Sequence, residues 1–103
     1  MSSIGNPFIP IHPGGLVKDE LESRGLSQRA FAHKFGISYP MLNEILNEKR
    51  PISTDFALFL EAALGISAGL LVRMQTSYNL QVAQEDKSLM AKLKKIQKIA
   101  AVF

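Results

Sequence analysis

The strongest constraint on this chain lies between Ser27 and Asn47, in the stretch SQRAFAHKFGISYPMLNEILN. Ser27 is a good helix cap, and Ala30, Phe31, Lys34 and Phe35 follow it at i+3, i+4, i+7 and i+8, a helical spacing, three of them apolar. Gly36 stands where that helix must end in a left-handed residue, a conformation that glycine reaches without a steric cost. Ile37 is the apolar plug of the turn, Ser38 caps a second helix, and Pro40 falls in its first turn, where a missing N–H is no loss. Leu42, Ile45 and Leu46 share the side to be buried, which leaves Tyr39, Pro40, Asn43, Glu44 and Asn47 facing out. Small Ala32 allows two helices to approach closely. A short helix, a glycine-bearing turn and a second helix with a polar outer face are the pattern of a helix-turn-helix. The plainer alternative is a helical hairpin that only packs a small all-α domain.

The segment LSQRAFAHKFGISYPMLNEILNEKRPIS resembles the phage-repressor (Cro/XRE) type of helix-turn-helix. With IHPGGLVKDELESRG before it and LFLEAALGISAGLLVRMQTSYNLQVA after it, the chain resembles, over about residues 11 to 84, the HigA-type antitoxins of bacterial addiction modules, or plasmid-maintenance antidote proteins. That resemblance implies a five-helix domain, a DNA-binding homodimer, and a partner toxin that is an mRNA-cleaving ribonuclease. It also implies that the outward residues opening the second motif helix, here Tyr39, Pro40, Asn43 and Glu44, reach base edges in the major groove. Asn43 offers donor and acceptor together, which suits adenine, and Glu44 can accept from cytosine or pair with a basic neighbour such as Lys49. Gln28 matches a glutamine that bonds a phosphate in such repressors; Arg29, Ser38, Lys49 and Arg50 complete the expected phosphate contacts. The family usually carries longer polar or basic residues where Tyr39 and Pro40 stand. Proline has no donor, so shape readout gains weight here.

Charge is unevenly spread. Residues 87–103 hold five lysines and no acid, whereas residues 1–86 hold seven cations against nine acids, a net −2. A basic balance overall thus says little about the helical body, because phosphate binding needs local positive charge. Length allows one small domain, and the absence of cysteine removes disulfides and thiolate metal sites. No apolar run approaches a membrane span, and the N-terminus shows no basic segment followed by an apolar one, so the expectation is a soluble cytoplasmic protein. His12 and His33 fall in different elements without metal-ligand spacing. His12 is expected to cap the first helix instead. No nucleophile has a base at a telling distance, so neither an enzyme nor a cofactor is expected.

Along the chain, residues 1–14 read as an extended arm, ordered only where Phe8, Ile9 and Ile11 dock. The first helix is expected over Gly15–Arg24, with Leu16, Val17 and Leu21 inward and Gly25 as its stop. Ser53 or Thr54 caps the fourth, with Phe56, Phe59, Leu60, Ala63 and Leu64 on its apolar side. Ser67 opens a fifth, in which Leu70, Leu71, Met74, Tyr78 and Val82 form a stripe too long for a small monomer to cover, and which is expected to make the homodimer contact. Residues 85–103 form a basic amphipathic tail, with Leu89, Leu93, Ile96, Ala100 and Phe103 on one face. That face could extend the dimer contact, pack on a partner, touch nucleic acid or lie on a membrane surface.

The fold expected is therefore all-α: a five-helix repressor-like helix-turn-helix domain (residues 15–84) between the arm and the tail. The expected function is an operator-binding repressor that neutralises a ribonuclease toxin. A stand-alone regulator, or a protein-binding module without DNA affinity, are the alternatives.

Overall fold

The structure, a computed structural model, describes residues 10–103. Over that range the chain forms six helices and no strand: α1 (Pro13–Ser23), α2 (Gln28–Phe35), α3 (Tyr39–Leu46), α4 (Thr54–Leu64), α5 (Ala68–Gln84) and α6 (Lys87–Ala100). Each begins on a polar side chain that takes up an orphan backbone N–H. Ser27, Ser38, Ser53 and Ser67 cap α2 to α5, and Asp86 caps α6. α1 starts two residues before the expected Gly15. The reason is His12, whose Nδ1 accepts from the Gly14 N–H at 2.8 Å and places Pro13 at the first helical position. Phe8 and Ile9 lie outside the described residues; Ile11, expected to dock, is largely exposed.

α1 to α5 enclose one core. Val17 and Leu21 of α1 meet Phe31 and Ala32 of α2, Leu42, Ile45 and Leu46 of α3, Ile52, and Ala57, Leu60 and Leu64 of α4. Beside it, Phe31, Phe35, Phe56 and Phe59 pack ring to ring at centroid distances of 4.9 to 6.1 Å. The expected stripe of α5 is divided. Leu71, placed with the dimer contact by its spacing, has 0% of its surface exposed and closes the core from the α5 side. It cannot meet a second chain, whereas Leu70, one residue away and rotated by about 100°, stays exposed.

Two junctions fix how α3 sits. α2 ends at Gly36 (φ 66°), where the Ile37 N–H reaches back to the Ala32 carbonyl at 3.0 Å. At the other end of α3, a Cβ added to Gly14 would lie 2.0 Å from the Ile45 carbonyl oxygen. Only glycine lets the start of α1 press so closely on the end of α3. α6 differs from all of this. It follows α5 after a short break at Glu85–Asp86, and none of its residues is buried.

Candidate nucleic-acid interface

α3 presents its outer side from a buried base: Leu42, Ile45 and Leu46 are almost fully enclosed. On that outer side the polar groups are joined to one another. Asn43 Nδ2 donates to Gln28 Oε1 at 3.0 Å, and Asn47 Nδ2 donates to Asn43 Oδ1 at 3.1 Å. The Asn43 amide is thereby held at a fixed orientation, with Gln28 at the N-terminus of α2 as its support. Ser38 Oγ accepts from the Met41 N–H at 3.2 Å, the cap that opens α3. The Arg29 guanidinium lies over the Tyr39 ring, 4.3 Å from its centroid. Tyr39 is therefore half-buried against the edge of the core instead of projecting freely, while Pro40 is exposed.

Glu44 does not pair with Lys49. Its Oε1 accepts from Arg50, at 2.7 Å from Nη2 and 2.8 Å from Nε. Two sequence neighbours of the expected interface thus cancel one another in the free chain. Their pairing across a turn follows from Glu48, which takes the left-handed conformation (φ 66°) that glycine has at Gly36. The Lys49 N–H donates to the Glu44 carbonyl at 2.8 Å and the Glu48 N–H to that of Ile45 at 3.0 Å, the same helix-ending pattern. A non-glycine residue is strained there. The Glu48 carboxylate lies beside the start of α1, lining a cleft with His12 and Gly15, where the partial positive charge of a helix N-terminus favours an acid.

The loop carrying Lys49 and Arg50 is clamped by two buried polar residues. The His12 ring packs edge-on against Tyr78 at 4.9 Å and shares a cleft with Arg50, toward whose backbone it is drawn. Burial pushes the His12 pKa below its ordinary value, against the opposing pull of Glu48 and of the Arg50 backbone. Gln75, with only 6% of its surface exposed, accepts the Ile52 N–H on Oε1 at 2.9 Å and donates from Nε2 to Asn79 Oδ1 at 2.9 Å. Gln75 was not among the expected site residues. Its signal in the sequence is a polar residue one helical turn after Leu71, on the side of α5 that packs inward.

Of the expected residues, then, the structure groups Gln28, Arg29, Ser38, Tyr39, Asn43 and Asn47 around the start and outer side of α3. Lys49 and Arg50 stand on the clamped loop behind it. Of the expected dimer residues, Leu70 and Val82 are exposed, Met74 is half-buried, and Tyr78 is partly occupied by His12. Among the described residues there is no group of acids and histidines that could hold a metal ion, and no helix long and apolar enough to cross a membrane.

A compact helical body that presents one capped helix after a glycine turn defines a class of protein, the helix-turn-helix regulators. The chain belongs to the helix-turn-helix family whose model matches residues 17–71, in its phage-repressor (XRE) branch, with HigA-type antitoxins as its structural neighbours; this is a family of DNA-binding proteins and not of enzymes. It is 40% identical over 83 residues to virulence-associated protein I of Dichelobacter nodosus, covering 80% of this chain and 77% of that one. Among solved structures, it is similar to antitoxin GraA, at 31% identity and a TM-score of 0.73 over 80% of this chain and 89% of that chain. It is also similar to the Pseudomonas aeruginosa antitoxin HigA, solved with its higBA promoter, at 34% identity and a TM-score of 0.70 over 87% and 94% of the two chains.

Proposed function

We propose that this chain is a sequence-specific transcriptional repressor and the antitoxin of a toxin–antitoxin module, acting in the cytoplasm. As a homodimer it binds a two-fold operator in its own promoter and sequesters a co-encoded ribonuclease toxin. The observation that carries the reading is the Gln28–Asn43–Asn47 hydrogen-bond chain, which holds an amide on the exposed side of a helix in a DNA-binding family. An amide so fixed meets an adenine edge with little further ordering. The promoter complex of the similar HigA supports the same reading. Tyr39, Pro40, Asn43 and Glu44 make the base contacts. Gln28, Arg29, Ser38 and Lys49 contact phosphates, and Arg50 joins them when Glu44 turns to a base.

The toxin, a basic ribonuclease, binds acidic surface away from α3. Of the acids on α1, α4 and α5's approach, Glu20 is engaged with Arg24 and Glu61 with the Ala68 N–H. Asp19, Glu22 and Asp55 are then the groups that face it. One observation favours a different reading, a protein-binding module without DNA affinity: Pro40 cannot donate, and the Glu44–Arg50 pair removes a cation from the face. A gel-shift titration with the chain's own upstream region separates the two. A retarded complex that survives random competitor supports the repressor; no complex at micromolar protein supports the module. Co-purification with the product of the adjacent reading frame tests the antitoxin role.

A further inference from the structure

Among the described residues, the apolar face of α6 is left mostly uncovered. Leu93, Ile96 and Ile99 are 40%, 57% and 60% exposed, in a helix with no buried residue. Leu89, Leu93, Ile96 and Ala100 recur at alternating steps of four and three. That is the spacing of a coiled-coil seam, in which two helices meet along one line instead of a helix lying on a broad surface. Lys87, Lys94, Lys95 and Lys98 fall on the far side of the helix from this line, and Lys92 at its flank.

We propose that the α6 seam pairs with the α6 seam of a second copy of this chain, Ile96 against Ile96. The charge pattern selects this occupant. An acidic partner seated on the apolar face would not reach the lysines on the opposite side, whereas two copies keep those lysines apart and in water. In a parallel pair, the flanking Lys92 meets Gln97 of the second copy and no like charge. About three turns of seam are too short to hold isolated helices together. The pairing therefore rests on the homodimer of the proposed function, within which the two α6 helices meet at high effective concentration.

The chain has no cysteine, so a single introduced thiol reports the contact directly. Ile96 is the central seam residue, and in the parallel pair the two-fold axis runs along the seam and brings it onto its own mate. Under mild catalysed oxidation at micromolar concentration, Ile96→Cys is expected to form a covalent dimer at least tenfold faster than Lys94→Cys, which points away. Leu93→Lys with Ile96→Lys is expected to weaken the dimer tenfold or more by sedimentation equilibrium, with helix content by circular dichroism unchanged. If the wild type is dimeric but Ile96→Cys links no faster than Lys94→Cys, the seam is wrong and the dimer stands. If the wild type sediments as a monomer, the dimer reading fails and the seam with it.

Discussion

α3 and α6 are both short amphipathic helices that start on a capping side chain, Ser38 and Asp86, yet their two faces are treated in opposite ways. The apolar face of α3 is fully enclosed, and its outward amides are tied into a hydrogen-bond chain. The apolar face of α6 is open, and its outward side carries lysines without an acid. Local signals make a helix in both places; packing decides what the helix is for. Selectivity calls for side chains whose positions are settled before the ligand arrives, and that is the condition of α3. Charge alone needs no such order, and that is what α6 holds.

The largest expected difference between the two helices is in stability. Leu42→Ala opens a cavity in the core under α3 and is expected to cost ~2–5 kcal/mol. Ile99→Ala removes a side chain that is mostly in water, and should stay within about 0.5 kcal/mol. Urea melting of both variants checks this. Comparable losses would mean that α6 is as much part of the monomer fold as α3.

A smaller effect is expected where α3 hands over to the loop behind it. Gln75→Ala leaves the buried Ile52 N–H without its acceptor, at a cost of about 1–3 kcal/mol. Amide exchange should quicken at Ile52 and around Lys49 and Arg50 before it changes in α2. A variant with global stability lost and local exchange unchanged would show that Gln75 serves packing and does not hold the loop.

The smallest effect is a pH dependence. Burial holds the folded His12 pKa below the unfolded value of 6.5, so the unfolded chain takes up its proton first as pH falls. Stability that is full above pH 6.5 should decline below it, from this residue alone. His12→Asn keeps a capping acceptor for Gly14 and should flatten the decline between the wild-type folded pKa and pH 6.5. Identical slopes for the two proteins would remove His12 from the account.

Much of this was legible in the chain itself. Ser27, Ser38 and Ser67 cap the helices they were expected to cap, Ser53 takes the fourth, and Gly36 is left-handed, because caps and turns depend on neighbours a few residues away. The features that escaped depend on distant contacts. Leu70 and Leu71 look alike in a stripe, and only the position of α4 decides which one turns inward. Gln75 is read as a stray polar residue until Ile52, 23 positions earlier, comes to rest on it. Glu44 chooses Arg50 over Lys49 because Glu48 bends the chain left-handed between them, which glycine would have announced and glutamate does not.

The central claim, that α3 reads the DNA sequence while the α6 lysines add no selectivity, is tested most directly by salt titrations on operator and random duplexes. Asn43→Ala is compared with Arg29→Ala and with a protein in which Lys87, Lys94, Lys95 and Lys98 are changed to Gln, its dimer verified by sedimentation. Asn43→Ala should lose ~1–3 kcal/mol on the operator and little on random DNA. Arg29→Ala should weaken both alike and lower the salt slope by about one, and the lysine variant should leave the operator-to-random ratio unchanged. A ratio that survives Asn43→Ala but collapses when the α6 lysines are removed would contradict the account.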